Sequence, residues 1–128
     1  MNKKLLLALS TIVFVFFSSS SAAETYVEVF QCKLGEGKTV EDAHAANRKW
    51  LKWVTENVGK GAVSSSAGTA VVGNTEAFIW VDTYPDLATW SATKTALDTE
   101  EGKAALKDLF KDITDCKENR LWKLEVTE

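Results

Sequence analysis

His44 and Asn47 stand three residues apart in EDAHAANRKW, and Trp50 follows three residues later. That spacing returns to one side of a helix, so an imidazole, an amide and an indole can share a face. Histidine changes charge near neutral pH, which makes His44 the candidate proton acceptor or donor, with Asn47 orienting a ligand oxygen. The plainer alternative is that His44 bonds a backbone carbonyl near the helix start, because buried polar groups are normally satisfied by some partner.

Two carboxylates interrupt apolar runs: Glu28 in YVEVF and Asp82 in FIWVD. A carboxylate among apolar neighbours holds its proton to higher pH and can act as a base near neutrality. Either one can instead pair with Arg48 or a lysine. The five tryptophans, Trp50, Trp53, Trp80, Trp90 and Trp122, suit an aromatic cavity or the packing of a core and an interface. Ser64-Ser65-Ser66 has no base or glycine elbow beside it, and neither a phosphate loop nor metal-ligand spacing occurs. No cofactor is therefore expected.

The start of the chain bears on the cysteines. Lys3 and Lys4 precede an apolar run, Leu5 to Phe17, and Ser21-Ala22-Ala23 fits a small-x-small cleavage site. Residues 1–23 thus read as a signal peptide, with an exported (periplasmic or secreted) domain over 24–128 and no stable membrane anchor after cleavage. In an oxidising compartment Cys32 and Cys116 read as one disulfide. A pair of metal-binding thiolates is the alternative, but His44 is the only histidine and nothing nearby supplies the other ligands. The bridge closes most of the domain into one loop, worth about 4–5 kcal/mol on the chain-entropy model. Cleavage removes two lysines from 15 basic side chains and none of the 18 acids, taking the formal charge from −3 to −5. An acidic surface without a basic, aromatic-interleaved cluster excludes nucleic acid as a partner.

The elements that must position these groups follow from periodicity. Thr25 to Leu34 is a strand rich in β-branched and aromatic residues, ended by Gly35 and Gly37. Thr39 caps a helix from Val40 to Val58, with Asp42 as its capping-box partner and a stripe of Val40, His44, Asn47, Leu51, Val54 and Val58. Ala62 to Val72 is a strand of small residues, turning at Gly73-Asn74 into a second strand from Glu76. After Pro85, Asp86 caps a helical region that a second signal, Asp98 to Glu101, divides in two. Arg120 to Val126 alternates as an edge strand. The order is β-α-β-β-α-β, an α+β, ferredoxin-like plan with an antiparallel sheet in strand order 4-1-3-2. That order sets the first strand beside the last and brings Cys32 and Cys116 to the same end. The strand through Phe78, Ile79, Trp80 and Val81 is apolar on both faces and needs two covers. The chain's own helices supply one; a second copy of the chain, in a homodimer, supplies the other.

With Leu34-x-x-Gly37, Trp80-Val81, Leu87-x-x-Trp90 and Glu101-Gly-Lys-Ala-Ala-Leu106, the chain resembles the dimeric α/β-barrel superfamily, and within it the antibiotic-biosynthesis-monooxygenase-like domains. The resemblance implies a barrel built from two sheets and a homodimer. It also implies a pocket for a small apolar or aromatic ligand, as in cofactor-independent monooxygenases. Haem-degrading relatives use a strand-one asparagine, a strand-three tryptophan and a helix histidine; these positions fall here on Phe30, Trp80 and Leu106. Leucine neither ligates iron nor transfers a proton, so that route is not implied. The expected site is His44 and Asn47 as catalytic groups, with Trp50, Trp80, Phe30, Glu28 and Leu106 lining the ligand. The alternative is a non-catalytic dimeric module with its pocket filled by side chains.

Overall fold

The computed structural model describes residues 24–126; the expected signal peptide lies outside them. In chain order the elements are β1 (Thr25–Leu34), α1 (Val40–Asn57), β2 (Ser64–Thr69), β3 (Phe78–Tyr84), α2 (Leu87–Leu97), α3 (Glu100–Phe110) and β4 (Thr114–Leu124). The strands pair antiparallel in the order β2-β3-β1-β4, which is the expected 4-1-3-2 read from the opposite edge. Among the described residues, no helix is long and apolar enough to cross a membrane.

Strand register turns sequence alternation into rungs across the helix-covered face. One rung runs Ser65, Asp82, Glu28, Leu121; the next Ala67, Trp80, Phe30, Asn119; the third Thr69, Phe78, Cys32, Cys116. Cys32 and Cys116 are directly opposed and form the disulfide, 84 residues apart in sequence. The register shifts beside Cys32, where β4 accommodates one extra residue as a bulge. Phe78 and Trp80 meet edge-to-face at 4.9 Å, and Phe110 of α3 closes on Trp80 at 6.0 Å.

Thr39 caps α1 with the expected reciprocal box: its hydroxyl accepts from the Asp42 N–H and the Asp42 carboxylate accepts from the Thr39 N–H. The buried face of α1 differs from the expected stripe. It runs through Ala43, Ala46, Asn47, Trp50 and Val54, leaving His44 and Leu51 at the margin. The alanines let the helix backbone approach the sheet, and turning that way buries Trp50, the largest apolar surface available.

Other boundaries move for local reasons. β2 is shorter than expected, and Ala70 to Ala77 is a long connection in which Val71 and Val72 are exposed, rather than a two-residue turn. The Asn74 side chain accepts from the Glu76 N–H, which bends the chain one residue beyond Gly73. α3 is capped by Thr99, whose hydroxyl accepts from the Gly102 N–H at 3.0 Å, while Asp98 ends α2. β4 begins at Thr114, so Cys116 lies inside the strand and not before it. Gly35 is required by contact: a Cβ there would lie 1.9 Å from the Asp112 carbonyl oxygen, and its N–H donates to Ile113 O at 2.9 Å.

Among the described residues, no helix covers the opposite face of the sheet. It presents Val27 and Val29 of β1, Ile79 and Val81 of β3, and Trp122 and Leu124 of β4, the last two 49% and 51% exposed. Arg120, ion-paired with Glu118, stands on the same face directly opposite Val29.

Candidate functional site

Between the first two rungs and the three helices lies a cavity of about 320 Å³. Its apolar wall is Phe30 and Trp80 from the sheet, Trp50 from α1, Leu97 from α2, and Leu106 and Phe110 from α3. Asn47, Asp82, Lys94 and Thr114 supply polar atoms, and Cys116 brings the disulfide to the edge. A mainly aromatic enclosure with a few convergent polar groups is the usual form of a small-molecule site.

The polar groups form two connected sets. In the first, Asn47 Nδ2 donates to Ser65 Oγ at 3.0 Å, and Ser65 Oγ donates to Asp82 Oδ1 at 2.5 Å. In the second, Glu28, only 1% exposed, collects four donors. Asn119 Nδ2 reaches its Oε1 at 2.6 Å; Lys94 Nζ, Trp90 Nε1 and the Tyr84 hydroxyl reach Oε2 at 2.6, 3.2 and 3.4 Å. Lys94 also stands over the Phe30 ring, 5.3 Å from its centroid, so its ammonium is fixed from two sides.

Burial dominates the electrostatics. Asp82 is 6% exposed, and its carboxyl is pushed up to about 6, first by loss of water and further by the charge of Glu28; the Ser65 hydrogen bond and Lys94 oppose the rise. The Tyr84 hydroxyl is raised as well, by burial and then by the Asp82 and Glu28 charges, so it stays a neutral donor. Among the described residues, no three His, Cys, Asp or Glu side chains gather as metal ligands would.

Of the residues expected at the site, Asn47, Trp50, Trp80, Phe30 and Leu106 line this one cavity. Glu28 does not; it stands one step away, holding Lys94. His44 is half-buried on the margin of α1 and does not line the cavity, which corrects the expectation that it shares a pocket with Asn47. The cause is the rotation of α1 that buries Ala43 and Ala46. Ser65, set aside as a nucleophile, is instead the link between Asn47 and Asp82. Lys94, Tyr84 and Asn119 were not anticipated. Lys94 had one signal, being the only charged residue of α2, in a segment otherwise apolar or hydroxylated.

No protein-family model matches the chain, and no curated protein matches it either. Solved structures do. SnoaB, a cofactor-independent oxygenase from Streptomyces nogalater, aligns with a TM-score of 0.57 at 10% identity, over 82% of this chain and 97% of that one. A NIPSNAP family protein with unknown function from Agrobacterium tumefaciens aligns with a TM-score of 0.55 at 10% identity, covering 80% and 90%. A second NIPSNAP family protein from the same organism aligns at 0.55 with 17% identity, covering 79% and 86%. The architecture is therefore that of the ferredoxin-like α+β domains.

Proposed function

We propose that this is an exported domain that pairs through its open sheet face with a second copy of itself and binds a small apolar or aromatic molecule in the helix-covered cavity. One observation carries the reading: five residues singled out from sequence, Asn47, Trp50, Trp80, Phe30 and Leu106, converge on a single open space of about 320 Å³. That volume reaches the range of small-molecule sites and speaks against a pocket filled by its own side chains. Pairing is supported by the stripe of Val29, Val81, Trp122 and Leu124, whose burial against a copy removes apolar surface from water. The oxygenase among the structural neighbours makes oxygen consumption the activity to assay once a ligand is in hand.

Thermal-shift screening of small aromatic compounds, followed by tryptophan quenching, tests binding, because a ligand of the folded state must raise its stability. Leu106→Trp fills the cavity from α3 and is expected to abolish the shift while leaving the far-UV spectrum unchanged. A panel in which no aromatic compound binds, or in which Leu106→Trp binds as well as wild type, removes the reading. Light scattering at micromolar concentration should give a dimer that Val29→Lys converts to a monomer. The mass of the protein recovered from the exported fraction should correspond to a chain starting at Glu24.

A further inference from the structure

Asp82 is more than nine-tenths buried, and only one of its oxygens is used by the protein. Ser65 donates to Oδ1; among the described residues no donor reaches Oδ2. Every fully buried side-chain nitrogen or oxygen among those residues has a hydrogen-bond partner. Oδ2 must therefore keep some accessible surface, and the open space that Asp82 borders is the cavity.

Counting charge narrows what fits there. Glu28 lies opposite Asp82 on the neighbouring strand. Lys94, from α2, is in contact with Glu28 at 2.6 Å and held over Phe30, so its charge is already matched. Tyr84, further along β3, is a neutral donor to Glu28. Ser65 from β2 and Asn47 from α1 are uncharged, and α3 and β4 bring no titratable side chain to the cavity wall. With both carboxylates ionised, the buried group carries one uncompensated negative charge in a cavity lined by Trp50 and Trp80.

Resting on the proposed ligand-binding role, we infer that the cavity selects small aromatic amines, with the protonated nitrogen donating to Asp82 Oδ2 and the ring among Trp50, Trp80 and Phe110. A cation supplies the missing charge and the missing donor together, and indole faces attract it further. A neutral alcohol supplies only the donor; a carboxylate ligand meets Asp82 with like charge. The raised carboxyl adds a pH signature. The unbound site is ionised only in part near pH 6, and affinity for a cation scales with the ionised fraction.

Isothermal titration of the disulfide-bonded protein with 2-phenylethylamine, 2-phenylethanol and phenylacetate tests this directly. At pH 7 the amine is expected to bind at least ten times more tightly than the alcohol, and phenylacetate not detectably. Amine affinity should rise about tenfold from pH 5 to pH 7, while alcohol affinity stays flat. Asp82→Asn should remove the advantage of the amine over the alcohol and erase the pH dependence. Equal binding of amine and alcohol, or tighter binding of phenylacetate, overturns the amine assignment while leaving small-molecule binding in place. Failure of all three, together with an unresponsive aromatic panel, overturns both. The wild-type pH profile decides the matter even if the variant does not fold.

Discussion

Asp82→Asn is expected to stabilise the protein at alkaline pH and to weaken it slightly at acid pH. The wild-type carboxyl is pushed from 3.8 to about 6 by folding, so the folded state holds its proton more tightly than the unfolded chain does. Protonation thus contributes stability that is fully present below pH 3.8 and lost as pH rises through 6. Two pH units of such linkage correspond to about 3 kcal/mol at pH 8. Asparagine never becomes charged, and its Oδ1 can still accept from Ser65. Its amide hydrogens gain no partner among the described residues, which subtracts about 1 kcal/mol. A net gain of about 2 kcal/mol remains, equivalent to roughly 8–16 °C in melting temperature for a domain of this size. Urea unfolding of both proteins at pH 4, 6 and 8, with the disulfide intact, measures it. The variant should lie slightly below wild type at pH 4, cross it as pH rises, and exceed it at pH 8. A difference independent of pH, or a variant weaker than wild type at pH 8, would refute the argument that burial of an ionised Asp82 burdens the fold.

Glu28→Gln keeps the shape but removes the counter-charge of Lys94, and a loss of about 3 kcal/mol is expected in the same unfolding assay. Lys94 is one-third exposed, so water takes up part of that cost and the value belongs at the low end for broken buried pairs. Replacing both Cys32 and Cys116 by alanine should cost about 2–5 kcal/mol, and a thiol assay on unfolded, unreduced wild type should find no free sulfhydryl. Gly35→Ala forces a methyl group against the Asp112 carbonyl oxygen and should lower stability by more than about 1 kcal/mol, seen as a shifted urea midpoint at unchanged slope.

The fold was legible because its signals are local or strictly periodic. Thr39 with Asp42, Asp86 after Pro85, and alternation through Phe78 to Tyr84 each speak within a few residues. The strand order followed from the β-α-β-β-α-β sequence, and it agrees with the opposed cysteines. What periodicity misjudged was rotation: α1 offered two adjacent stripes, one through His44 and one through Ala43, and only packing against the sheet selects the second. The polar network was less legible still. Asn119 reaches Glu28 across 91 residues of sequence, and Trp90 reaches it across 62. No short motif encodes such contacts; strand register and helix placement create them.

Glu28 and Asp82 face each other across the central strand pair, and like charges in that position destabilise a sheet. The two are treated differently by what surrounds them. Glu28 receives an ammonium, an indole, an amide and a phenol, so its charge is held by protein groups on every side. Asp82 receives one hydroxyl, itself oriented by Asn47, and otherwise faces open space. Had stability alone shaped this rung, an apolar residue at position 82 would continue the alternation of Phe78 and Trp80 and remove the repulsion. The acid sits where it weakens the empty domain, and it is the acid bordering the cavity. A charge that costs stability until something donates to it is the arrangement a binding site requires, and the pH dependence of unfolding and of amine binding should therefore turn on the same carboxyl.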